Sequence, residues 1–305
     1  MRTFFWGLIL FIILFEVAYV TLLSYIYWFS FLKKPSLITE KNFITKNSTS
    51  RPVPVDGQDT EASPTSAIPK IVYVTSCYSG VADMPEDTRL LLEETERSNA
   101  GWEIKHFSDR EVEHMLEAEH HPSVLEAFRS IVPGAYKADI FRYAVLSKRG
   151  GVYMDLNSRL YRPLDEIVDV VHDKVVLVQD RTLISCGMRP GVQIAFVASR
   201  KDDPNITKCL EKAVENVLNK DYGRCTLDIT GPTMAASVFQ KVSKKDYTCT
   251  MYMAAKSGDD IYDYYDKRKL VIKRHCNNHY KTMYETKKDS KPRYSTMYES
   301  KSVFA

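Results

Sequence analysis

Apolar residues run almost without a break through residues 4–32, interrupted mainly by Glu16, Thr21 and Ser24. A helix crossing a bilayer needs about 20 such residues. The run lacks the shorter apolar core and small-residue cleavage site of a removed signal peptide. It is therefore expected to be an uncleaved signal-anchor helix behind a short tail at residues 1–3. Trp6, Tyr25, Tyr27 and Trp28 lie towards its ends, where interfacial aromatics belong. Residues 33–67 are polar and rich in Ser, Thr and Pro, with no apolar period, and read as a flexible stem. From residue 68 the pattern changes, and residues 68–305 are expected to form one folded domain.

Within that domain, short apolar runs alternate with longer amphipathic stretches, as in an α/β protein. Residues 68–75 predict a first strand, continuously apolar over 71–74 as if buried on both faces. Residues 85–98 predict a helix, and 101–107 a second strand by their alternation. Ser108 or Asp109 caps a helix reaching about residue 118, closed by His120, His121 and Pro122. Adjacent histidines do not share a helix face, so this pair reads as surface rather than metal site. Further helices are expected at 124–131, 137–148, 164–171, 204–219 and 234–242. Strands are expected at 152–154, 175–178, 192–198, 247–253 and 270–273. The remainder, rich in Lys, Tyr and Ser, reads as irregular.

Composition changes this picture little. Hydrophobic residues make up 44% and charged residues 27%, as in an ordinary globular protein. A formal net charge of +3 gives no global signal for nucleic acid. The 19 tyrosines supply aromatic packing or line a carbohydrate or nucleotide cleft. Six cysteines follow the apolar span without a CxxC pair or zinc spacing, which leaves both disulfides and buried thiols open. Arg2 on one side of the span nearly balances Lys33 and Lys34 on the other. The triplets beginning at Asn47 and Asn205, with the cysteines, tip the expectation towards a lumenal domain.

The chemistry concentrates in residues 135–164. Asp139 and Arg142, three apart on a helix, can share a face. Gly150 and Gly151 end that helix and turn the chain into a short strand. Asp155, Leu156 and Asn157 follow at its carboxyl end, where α/β sheets collect ligands. Carboxylate and amide oxygens suit Mg²⁺ or Mn²⁺ shared with phosphates. Such an ion neutralises a diphosphate leaving group.

Ala138-Asp139-Ile140-Phe141-Arg142-Tyr143, followed by Gly150-Gly151-Val152-Tyr153-Met154-Asp155, resembles the core of glycosyltransferases with a DXD sugar-binding region, the family 32 type. Ile68-Pro69-Lys70-Ile71, residues 102–109, Arg162-Pro163-Leu164 and Thr230-Gly231-Pro232 extend the resemblance in the same order over residues 68–242. Gln179-Asp180, residues 195–199 and residues 226–232 look similar to viral, algal and protist members. The resemblance implies an α/β fold of the GT-A type, a nucleotide-binding sandwich with a mostly parallel central sheet, behind the N-terminal transmembrane helix. It implies a hexosyltransferase using GDP-mannose or a UDP-hexose, a glycan or glycolipid acceptor, and retention of configuration. Placement would be type II in the Golgi or ER, with a lumenal catalytic domain.

Residue by residue, the resemblance implies that Asp139 and Arg142 grip the donor sugar and nearby phosphate. Asp155 would contact the sugar nucleotide or its metal. Ile71, Val72 and Tyr73 would lie beside the nucleotide base, and Gly231 and Pro232 near the acceptor. His275 or His279 would be the late histidine at metal or phosphate, or simply exposed.

One position departs from the family pattern. The second acid of the motif is Asn157, which keeps an oxygen ligand but loses the charge. Weaker metal dependence, substitution by another acid such as Asp180, or loss of catalysis could each follow. Arg159 could offset phosphate charge. A catalytically silent, membrane-anchored sugar-nucleotide or glycan-binding protein is the alternative that this position raises.

Overall fold

In the computed structural model, residues 67–180, 186, 187, 189, 191–239, 249–254, 261–263, 269–271 and 294–305 are described. The expected membrane span at 4–32, the stem to residue 66, Asn47, His275 and His279 lie outside them. Among the described residues, no helix is long and apolar enough to cross a membrane.

The chain opens with strand β1 (Ile71–Ser76), helix α1 (Glu86–Ser98) and strand β2 (Glu103–Ser108). Helices α2 (Asp109–Glu119), α3 (Pro122–Ser130) and α4 (Gly134–Arg149) follow, then β3 (Gly151–Met154) and the short α5 (Leu164–Ile167). Next come β4 (Val175–Gln179), β5 (Val192–Ser199), α6 (Pro204–Leu218) and α7 (Pro232–Phe239). Strands β6 (Cys249–Ala254), β7 (Ile261–Asp263) and β8 (Lys269–Val271) precede helix α8 (Tyr294–Glu299). The last strand and helix ends expected at 273 and 242 fall outside the described residues.

Among the described residues, eight strands join one sheet in the order β2-β1-β3-β5-β4-β6-β7-β8. β1 runs parallel to β2 and β3, and β4 parallel to β6. β5 is antiparallel to both β3 and β4, and β7 to both β6 and β8. Six strands therefore share one direction, and β5 and β7 oppose it. The mostly parallel mixed α/β sheet agrees with the sequence expectation. Its strands β3, β4 and β5 are buried at every position, which explains their largely apolar sequences.

Alternate residues of β1 serve two layers. Val72 and Val74 join Val152, Met154, Val176 and Phe196 in a cluster closed by Leu92 of α1 and by Leu164 and Ile167 of α5. Tyr73 faces the other way, where Phe107, Phe141 and Tyr153 continue a chain of ring contacts beneath α4. Burying one such ring stabilises the fold by about 1.5–3 kcal/mol. Helix α2 starts at Ser108 through a capping box with Glu111.

The Gly150–Gly151 turn is required sterically. Both residues have positive φ, 67° and 101°. A Cβ on Gly151 would stand 2.8 Å from the Ile71 carbonyl oxygen. The two glycines let α4 reverse directly into β3 against β1.

Three local expectations are corrected. His120 is half-buried rather than a surface residue, and burial lowers its pKa. Asn205 is only 6% exposed, in the first turn of α6, so its triplet is no glycan acceptor in the folded protein. The region expected to be irregular after β6 contains β7 and α8.

Candidate functional site

The parallel strands β1, β3 and β4 all end on one edge of the sheet, and the candidate site is assembled there. Asp155 leaves β3 but stays tied to the sheet, its N–H donating to the Ala195 carbonyl at 2.8 Å. The Ser158 N–H then donates to the Asp155 carbonyl at 2.9 Å, closing a turn. Leu156 points into the core, while Asp155 and Asn157 remain half-exposed beside it. The Asp-Leu-Asn order thus buries its middle residue and presents both polar ones.

Asp139 and Arg142 lie one helical turn apart on the buried face of α4. Arg142 Nη2 is 3.0 Å from Asp139 Oδ1 and 3.4 Å from Asp155 Oδ1. Its Nε donates to the Ala138 carbonyl, and its Nη1 donates to the Ile194 carbonyl on β5. The guanidinium sits over the Tyr153 ring, 4.3 Å from its centroid, and the Tyr153 hydroxyl donates to Asp155 Oδ1 at 3.0 Å. Tyr153 therefore belongs both to the core and to the site. The side chains of Asp139, Arg142 and Asp155 are 9%, 5% and 22% exposed, so Asp155 is the accessible tip of the network. Asp139 and Arg142 stand behind it.

Asp139 is completed from a distant segment. The buried Thr230 hydroxyl donates to Asp139 Oδ2 at 2.7 Å, and the Tyr143 hydroxyl donates to the Thr230 carbonyl at 3.0 Å. Burial pushes the Asp139 carboxyl up to about 6, although Arg142 and Thr230 pull it down. Burial also opposes the Arg142 charge, but Tyr153, Asp139 and Asp155 around it hold the guanidinium protonated. Burial raises the Tyr153 phenol well above its ordinary range, keeping it a hydrogen-bond donor.

The other expected residues are placed as follows. Val72 and Tyr73 are buried in mid-sheet, in register with Val152 and Tyr153, and Ile71 precedes them. The part of β1 level with Asp155 is its end, Thr75 and Ser76, both half-exposed. Pro232 begins α7 and lies close to Gly191, where an added Cβ would stand 3.3 Å from its ring. Arg159 pairs with Glu94.

Asp180 follows β4 at the same carboxyl edge, its N–H donating to the Gly191 carbonyl at 2.9 Å, whereas the Asp155 N–H donates to Ala195 on β5. No cluster of three metal-ligating side chains occurs among the described residues. What the edge offers a cation is the Asp155 carboxylate and the Asn157 amide oxygen. That set fits an ion completed by diphosphate oxygens, not one held by protein alone.

The contacts of Thr230 with Asp139 and Tyr143 span 91 and 87 residues and leave no local pattern in the sequence.

Residues 85–172 match the family described as the glycosyltransferase sugar-binding region containing the DXD motif. The initiation-specific alpha-1,6-mannosyltransferase of Candida albicans is 44% identical over 45 residues, 15% of this chain and 12% of that protein. The match thus spans about one-eighth of that relative's length. The solved PaToxG glycosyltransferase superposes with a TM-score of 0.42 and 17% identity, covering 58% of this chain and 69% of that one.

Proposed function

We propose that this chain, which carries a glycosyltransferase sugar-binding region of the DXD type at residues 85–172, transfers a hexose from a nucleotide sugar to a glycan or glycolipid. The observation that carries the reading is the buried Asp139–Arg142–Asp155 network at the carboxyl edge of the sheet. It arises from the same residues that the matched region contains. The relative named for mannosyl transfer supports GDP-mannose as a donor candidate beside the UDP-hexoses. A GT-A-type sandwich and retention of configuration belong to the same proposal, as does anchoring through residues 4–32 in the Golgi or ER.

The roles follow from exposure and charge. Asp155, as the accessible tip, faces the donor. Arg142 fixes the Asp155 carboxylate and brings positive charge close to where phosphate negative charge must settle. Asp139, itself held by Thr230, fixes Arg142 from behind. When bound, a divalent ion held by Asp155 and Asn157 would supply further positive charge to the departing diphosphate. The amide at Asn157 weakens its hold on that ion, because a dipole replaces a charge.

The test is direct. The full chain is incubated with UDP- and GDP-hexoses, with and without Mn²⁺, and release of nucleoside diphosphate is measured. Release from at least one donor is expected. Binding of a donor without any release, under both metal conditions, would instead make the chain a silent binding protein.

A further inference from the structure

We infer that Asp228 is a positioning residue for this transfer, fixing the loop that carries Thr230 so that Thr230 holds Asp139. The inference rests on the transferase reading above and deepens it. The loop before α7 is constrained at several points. Cys225 forms a disulfide with Cys186, in the connection between β4 and β5. Arg189 of that same connection reaches Asp228 Oδ2 at 2.6 Å, donating also to the Cys186 carbonyl at 2.8 Å. The backbone N–H of Arg224 donates to Asp228 Oδ2 at 2.8 Å, and the Thr233 hydroxyl to Oδ1 at 2.6 Å. One carboxylate therefore ties the start of the loop, the first turn of α7 and the β4–β5 connection together.

The backbone is pinned as well. Asn216 Nδ2 on α6 donates to the carbonyls of Asp228 and Ile229 at 3.1 and 2.8 Å. Gly223 has φ +58°, and a Cβ there would stand 2.4 Å from Asp228 Cβ. Two residues beyond Asp228, Thr230 makes its bond to Asp139. Beyond Thr230, Pro232 lies close to Gly191. Asp228 touches none of Asp139, Arg142 or Asp155 by any bond described, so its effect on them runs through the loop.

A double-mutant cycle tests this in the full, oxidised chain. Asp228→Asn keeps an oxygen for Thr233 but loses the charge facing Arg189. Thr230→Val removes the hydroxyl while keeping the shape. Each single change is expected to lower kcat for transfer roughly tenfold, and the double change no more than the worse single one, because both cut one linkage. A residue acting only on global stability would leave kcat unmoved well below Tm, and one acting on the site independently of Thr230 would multiply the losses. Either result overturns the positioning role. Should Asp228→Asn not fold, Arg189→Gln enters the same cycle with the same two readings, since it leaves the bonds to Arg224 and Thr233. An inactive wild type would instead bring down the transferase reading, and the positioning role with it.

Discussion

Thr230 donates a 2.7 Å hydrogen bond from a fully buried hydroxyl to Asp139, across a sequence separation of 91 residues. This one bond connects the turn before α7 to the acidic residue of α4. It explains why Asp139 can stay buried beside Arg142: Arg142 meets one carboxylate oxygen and Thr230 the other. Thr230→Val should leave a buried acceptor unsatisfied and cost about 1–3 kcal/mol. Thermal unfolding measures this, and an unchanged Tm would mean that the bond contributes nothing.

The pH dependence of stability follows from Asp139. Burial raises its pKa from the ordinary 3.8 to about 6, so the folded state holds this proton more tightly than the unfolded chain. The stability it contributes is fully present below about pH 4 and is lost as pH rises through about 6. Arg142, Asp155, Tyr143 and Thr230 surround the group and stay in place. Asp139→Asn has a fixed neutral head and should lack this dependence. Its Tm relative to wild type should therefore climb between about pH 4 and pH 7, by the equivalent of roughly 2–3 kcal/mol. A constant difference would place the Asp139 pKa near its ordinary value.

Asn157→Asp should strengthen the hold on a divalent ion. With a second carboxylate beside Asp155, half-maximal turnover should need about tenfold less Mn²⁺, since an added charge at close range is worth at least ~1.4 kcal/mol. A Mn²⁺ titration of the two proteins reads this out. Tighter Mn²⁺ binding without any turnover in either protein would favour the silent binding module.

Gly151→Ala tests the turn that delivers Asp155. The new Cβ would press on the Ile71 carbonyl oxygen at 2.8 Å, with φ at +101°. Strain of this kind costs about 1–3 kcal/mol. The expected result is a lower Tm together with weaker donor binding, because β3 would shift against β1. Wild-type stability in the variant would show that the turn has room that its geometry denies.

Much of this site was legible in the sequence for local reasons. Asp139 and Arg142 are three apart, so helix geometry alone brings them together. The paired glycines mark a reversal, which places Asp155 beside the helix just left. Strands β1, β3 and β4 were legible as unbroken apolar runs, and β2 by its alternation. What escaped notice depends on long-range packing. Thr230 reaches Asp139 only through the placement of the loop before α7. Asn205 read as a glycan acceptor until α6 packed and buried it. Spacing among six cysteines does not select the Cys186–Cys225 bond. α8 lacks an apolar stripe, and Met297 is its one buried residue.

In the proposed function, the Arg142 guanidinium organises Asp155 for nucleotide-sugar chemistry. The decisive comparison is of nucleoside diphosphate release by the wild-type chain and by Arg142→Ala, across UDP- and GDP-hexoses with Mn²⁺ present. Expected are release by the wild type and a loss of at least ~100-fold in the variant, on the scale of removing one preorganised charge from a transition state. Equal release by both proteins, or none by the wild type from any donor, would contradict it.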